Sequence, residues 1–272
     1  MKRVFAILFC ILNSVVGLAQ QYEVTKSIEN DSVYFDLISL RETPLWWQIS
    51  TIDSLNVTSN FISYGKLHSK DTVFSLVKIP QQETIDTINL QISDFLDFKL
   101  RGADPKAQHE VSYPYKIPYS STSKFEVIQT FKQSFSHDKP TSFYAVDFAL
   151  PIRTPITASR DGVVIQTEDS FKEAGGRELF DSANYIYILH EDGTFAQYLH
   201  LDYKGVIVKQ NDIVKAGQHI GYSGHTGFST RPHLHFVVKN GLGISQEFRF
   251  SGYRKWLKTG KRYKGQGDPN LD

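Results

Sequence analysis

Apolar and polar residues alternate along much of this chain at the two-residue period of half-buried strands, with little that reads as an amphipathic helix. The strings SVYFDLI (32–38) and LWWQI (45–49) are rich in β-branched and aromatic residues, and INLQIS (88–93) alternates cleanly. Ser69-Lys70-Asp71 and Pro80-Gln81-Gln82-Glu83 supply turns between such runs, so residues 20–111 predict a small β-sandwich-like module. A proline- and hydroxyl-rich stretch, 113–123, favours extended backbone outside a ladder, and the domain break is placed just before it. Beyond it, NYIYIL (184–189) and TFAQYL (194–199) flank Glu191-Asp192-Gly193 as a β-hairpin, and DGVVI (161–165) enters another strand through a turn. The expected architecture is all-β: the first module, a β-sheet domain over 112–258, and a loose polar tail over 259–272.

The first residues change the picture. Lys2 and Arg3 precede an apolar run, Val4 to Leu12, and Gly17-Leu18-Ala19 has the small residues of a cleavage site. Residues 1–19 therefore predict a signal peptide and an exported, periplasmic or extracellular product. The run is too short to cross about 30 Å of hydrocarbon, and no later segment is long enough either. Cys10, the only cysteine, lies inside that leader. A mature chain without cysteine has no disulfides, so its stability rests on core packing, and any metal site must use His, Asp or Glu. The core is affordable, since 40% of residues are hydrophobic and 13% aromatic. A formal net charge of +1 advertises neither a nucleic-acid nor an anionic-membrane partner.

Three constellations carry candidate chemistry. In RPHLHF (231–236), strand alternation sends His233 and His235 to one side and Leu234 and Phe236 to the core. Such a pair can meet one metal ion and its water, although an exposed strand face produces the same pattern. In YAVDFALP (144–151), Asp147 interrupts an apolar run, where a carboxylate needs a metal or cationic partner unless it serves as a turn or cap. His137, upstream, is a candidate third ligand for a site of two histidines and one carboxylate with an open position. His200 ends the predicted hairpin, where a solvent-facing strand histidine is the plainer reading.

In order along the chain, SFSH, YAVDFALP, TPITASRDGVV, YIYILHEDGTFAQYLHL, VIVKQNDIVKAGQHIGYSGHTGF and RPHLHF resemble the LytM/lysostaphin-type metallopeptidases, family M23, over roughly residues 113 to 240. The resemblance implies a duplicated-hybrid-motif, barrel-sandwich fold with Zn2+ held by His137, Asp147 and His235. It also implies catalysis by His200 and His233, with His233 moving the proton of a zinc-activated water and His200 stabilising the oxyanion. The implied substrate is peptidoglycan, cut in its stem or cross-link peptides. Two features depart from the family pattern: a longer interval with a Pro140-containing insertion between His137 and Asp147, and Arg153 where glycine commonly precedes Thr-Pro.

A second reading is a catalytically silent module of the same fold that regulates a partner hydrolase. Under the endopeptidase reading, the N-terminal module would bind wall, bind a partner protein or occlude the cleft. A third, a lipoyl or biotinyl carrier suggested by VIVKQNDIVKAGQHIG, lacks an Asp-Lys-Ala or Met-Lys-Met turn. Of the other histidines, His190 reads as structural, His219 and His225 lie in Gly-rich loops with His225 able to line a cleft, and His68 and His109 receive no role.

Overall fold

The computed structural model describes residues 22–51, 60–80, 90–94, 96–133 and 136–267. The leader 1–19 and part of the 88–93 string lie outside them. The chain divides into two compact units, Met1–Gly102 and Ala103–Asp272.

In the first unit, Tyr22–Glu29 and Ser32–Ser39 form a hairpin in register Glu29 to Ser32. Its two-residue turn, Asn30-Asp31, has positive φ at both positions, 45° and 55°, the requirement of a turn whose twist matches the strands. Thr72–Pro80 and Asn60–Phe61 extend this sheet, while Leu45–Thr51 runs between Tyr64–Leu67 and Leu96–Arg101 in a second. Val33, Phe35 and Leu37 alternate into a core shared with Trp47, Ile49, Leu76 and Ile79 from both sheets, giving the expected β-sandwich-like packing. Gly65 is needed where it stands, because a Cβ there would run into the Trp47 ring. The 88–93 string is not a strand where it is described: Ile92–Asp94 is a turn of 3-10 helix.

The second unit is built on an eight-stranded antiparallel sheet. Its order is Ile213–Val214, Gly162–Glu168, Tyr185–Leu189, Phe195–Leu199, Leu234–Lys239, Val146–Phe148, Lys124–Gln129 and Arg262–Lys264. A smaller sheet, Pro155–Thr157, His219–Ser223 and Leu201–Val206, contributes Ile156, Ile220 and Leu201 to the same core as Ile186, Ile188, Tyr198, Leu234 and Phe236 of the large one. Strand alternation then sends a different set of side chains to the other face of the large sheet. Pairing aligns Tyr185, Leu199, His235, Asp147 and Gln129 as one row across five strands.

Two expected boundaries move. The second unit begins at Ala103, ahead of the 111/112 break, because residues 103–110 are fastened to the 190–194 turn. The Asp104 amide donates to Gly193 O at 2.9 Å, the Gly241 amide donates to Asp104 O at 2.7 Å, and His109 Nδ1 lies 3.3 Å from Asp192 Oδ2. The tail predicted over 259–272 is not loose up to residue 267. Arg262–Lys264 pairs with Lys124–Glu126, the buried Tyr119 hydroxyl donates to Tyr263 O at 2.7 Å, and Gln266 Oε1 accepts the Ile117 amide at 2.8 Å. Among the described residues no helix is long and apolar enough to cross a membrane.

Candidate metal centre

Asp147 is the middle residue of Val146–Phe148, and antiparallel pairing sets it directly opposite His235 on Leu234–Lys239. His235 Nδ1 lies 2.8 Å from Asp147 Oδ1. His137 reaches the same carboxylate from the turn that follows Lys124–Gln129, with Nε2 3.3 Å from Asp147 Oδ2. That turn is held by local bonds: the His137 amide donates to Gln133 O at 3.0 Å, and Nδ1–H donates to Thr130 O at 2.9 Å. A carbonyl only accepts, so the proton sits on Nδ1 and the lone pair on Nε2. This Nε2 is buried and makes no hydrogen bond.

One ligand atom from each of His137, Asp147 and His235 falls within 4.8 Å of the others, and the imidazole rings of His137 and His235 are 5.2 Å apart. Two imidazoles and one carboxylate on a buried sheet face suit a divalent transition metal of intermediate softness. The bare Nε2 of His137 is the group a cation would satisfy. Charge points the same way: burial pushes the Asp147 carboxyl up, but His235 and His137 outweigh it and hold it well below the usual carboxylate range. The structure thus brings together the three residues expected to ligate, including the one reached across the Pro140-containing insertion.

His200 and His233 stand beside this cluster, with ring centroids 4.5 Å apart and His200 6.1 Å from His235. His200 is the corner where the chain leaves Phe195–Leu199 in the large sheet for Leu201–Val206 in the small one. It makes that corner with φ of 64°. Its Nδ1–H donates to Thr226 O at 2.7 Å, which fixes the ring and leaves Nε2 bare. Burial, with His233 and His235 alongside, pushes the His200 imidazole down to about 3, so it is neutral at ordinary pH.

His233 is not in the strand as expected; the strand starts at Leu234, and His233 is held just before it. Its Nδ1–H donates to Arg231 O at 2.8 Å, with Ser229 Oγ 3.2 Å away. Ser229 Oγ also lies 2.9 Å from His225 Nδ1, joining His225 to the same polar chain. Thr130, Thr226 and Ser229, which orient these rings, escaped sequence reasoning. Backbone carbonyls and small hydroxyls leave no residue-type signal, and only the fold brings them to the histidines.

His190 and His109 lie away from the site. Burial pushes His190 down to about 4, and its Nδ1–H donates to Asp161 O at 2.9 Å. His219 Nε2 lies 2.9 Å from Gly221 O in the small sheet.

A family description, peptidase family M23, matches residues 141–246, which include Asp147, His200, His233 and His235 and begin just after His137. An uncharacterized metalloprotease of Buchnera aphidicola subsp. Baizongia pistaciae is 36% identical over 128 residues, covering 47% of this chain and 30% of the relative. The peptidoglycan DD-endopeptidase ShyA of Vibrio cholerae is 42% identical over 92 residues, covering 34% of this chain and 19% of that protein. The chain therefore spans less than a third of the length of either relative. The catalytic domain of lysostaphin from Staphylococcus simulans is 32% identical, covering 46% of this chain and 86% of that structure, with a TM-score of 0.34.

Proposed function

The chain belongs to peptidase family M23, and from that premise we propose that it is an exported, zinc-dependent endopeptidase that hydrolyses peptide bonds in bacterial peptidoglycan. The observation that carries this reading is the convergence of His137, Asp147 and His235 beside the His200 and His233 pair. His137, Asp147 and His235 would hold the zinc. When bound, zinc supplies Lewis-acid polarisation of the scissile carbonyl and lowers the pKa of water from 15.7 to about 7.

The other two histidines handle protons. Both rings spend Nδ1–H on backbone carbonyls and present a bare Nε2, so each is an acceptor when neutral. His233 takes the proton of the attacking water and delivers it to the leaving amine. A neutral His200 has no proton to offer an oxyanion, the task the resemblance assigns it. It serves instead as an acceptor that orients the water. Leu234 and Phe236, fully buried on the opposite face, pin the strand so that His235 keeps its aim. Export through the leader would bring the protein to the wall, where the 22–102 unit would recognise wall or a partner protein, or occlude the cleft.

The test is digestion of purified peptidoglycan by the full chain. Release of peptide fragments should stop with a chelator, return with zinc and be lost in His233→Ala. Hydrolysis that persists without metal, or in that variant, rejects the mechanism; metal binding with no hydrolysis favours the silent module.

A further inference from the structure

The chain has a formal net charge of only +1, yet from Phe248 to Gly267 it carries arginines and lysines and no Asp or Glu. Part of this basic stretch walls a groove of about 580 Å3 in the second unit. The cations lining it are Arg249, Arg254, Lys255 and Lys258, the single lining carboxylate is Glu247, and the single lining aromatic residue is Trp256.

The carboxylate makes no ion pair among the described residues, and one unit of negative charge faces four cations. Glu247 Oε1 accepts the Trp256 Nε1–H at 3.0 Å, while Phe131 supports the indole at a centroid distance of 5.3 Å. The ring is thereby fixed at edge and side, yet remains 43% exposed. Among the described residues, Arg254, Lys255 and Lys258 make no ion pair, so their charge is available to a ligand.

A fixed, exposed indole beside several unpaired cations suits a polymer with ring faces to stack and anions to pair. The groove also shares its wall with the metal centre's supporting turn. Gln133 bonds Thr259 through its side chain at 2.8 Å, and its carbonyl accepts the His137 amide. Thr130, another lining residue, holds His137 Nδ1.

We infer that this groove is an accessory binding site for an anionic peptidoglycan strand, with a sugar ring against Trp256 and stem-peptide carboxylates against Arg254, Lys255 and Lys258. The inference rests on the wall-hydrolase reading above and adds to it a place where the polymer is anchored outside the cleft. Anchoring raises the local concentration of scissile bonds on an insoluble substrate and does nothing for a short soluble one.

The experiment is co-sedimentation of the full chain with purified sacculi freed of phosphate polymers by hydrofluoric acid, alongside cleavage of the same sacculi and of a short soluble cross-linked peptide. Charge reversal at two exposed positions, Arg254→Glu with Lys255→Glu, should weaken binding about tenfold, as should Trp256→Ala. Sacculus cleavage should fall in parallel, with the short peptide cut at the wild-type rate. Amidating the wall carboxylates should weaken wild-type binding similarly.

Wild-type affinity in the charge-reversed protein, with its melting temperature unchanged, overturns the inference even if Trp256→Ala fails to fold. Loss of wild-type binding on acid stripping assigns the groove to a phosphate polymer and overturns it too. A chain that binds sacculi through the groove but cuts neither substrate defeats the endopeptidase reading and leaves the groove standing.

Discussion

Asp147 and His235 face each other across neighbouring antiparallel strands, with Oδ1 and Nδ1 2.8 Å apart, and His137 Nε2 approaches the other carboxylate oxygen at 3.3 Å. One carboxylate therefore serves two imidazoles in a buried place, where it is costly unless cationic charge is supplied. Asp147→Asn keeps the volume and removes that charge. Zinc affinity, measured by competition with a chromogenic chelator, should fall by at least about a hundredfold, since loss of mere outer-shell partners already costs 10–100-fold. Unchanged affinity would remove Asp147 from the centre.

His200 turns the corner between the two sheets at a φ of 64°, a conformation that strains any residue with a Cβ. Replacing it by Ala or by Gly deletes the same ring and the same bond to Thr226, but only Ala must then hold the left-handed backbone. His200→Gly should be more stable than His200→Ala by about 1 kcal/mol in urea unfolding, reversing the order expected where Ala is favoured. Both should be inactive on peptidoglycan. An Ala variant as stable as the Gly variant would mean that the corner relaxes once the imidazole is gone.

Much of the site was legible in the chain because its chemistry is written in residue types. Asp147 stood out in an apolar run and His235 shared a strand face with His233 by alternation, but that Asp147 and His235 serve one site was implied by the family resemblance, because period two sets a side chain's face and not its strand's neighbour or register. His137 was a candidate ligand from residue types alone, whereas His200 needed the family resemblance, since nothing local distinguishes it from a surface histidine. The Ser229 hydroxyl and the Thr130 and Thr226 carbonyls that aim the rings were illegible, because a hydroxyl or backbone carbonyl carries no residue-type signal for its partner, whether that is close in sequence, as for His233 and His137, or far, as for His200.

The end of the chain was misread for a related reason. A polar run with Gly and Pro looks like a loose tail, but Arg262–Lys264 is an edge strand that pairs with Lys124–Glu126 and packs its Tyr263 against the core. Ending the chain after Gly260 would strip the buried Tyr119 hydroxyl and the Ile117 amide of their acceptors, Tyr263 O and Gln266 Oε1. Each orphaned group costs on the order of 1–3 kcal/mol, so the truncated protein should lose about 3 kcal/mol and melt several degrees lower. Tyr119→Phe alone should cost about 1 kcal/mol. A truncated protein with the wild-type melting temperature would return the segment to the status of a tail.

His190 offers a stability test independent of the metal. Its ring is buried at the entrance of the 190–194 turn, packs edge-on against Tyr115 at 5.8 Å and is pushed down from 6.5 to about 4 by burial. Between these values the unfolded chain takes up a proton that the folded chain refuses, so stability rises with pH across this window and falls as the medium is acidified from about 6.5 towards 4. The loss at the acid end is about 3 kcal/mol, at 1.36 kcal/mol per unit. His190→Gln cannot bind that proton. It should be less stable than the wild type at pH 7, because the bond to Asp161 O and the ring packing are disturbed, yet show a shallower decline between pH 6.5 and 4. Urea unfolding at several pH values measures both effects, and parallel curves for the two proteins would show that His190 does not titrate on unfolding.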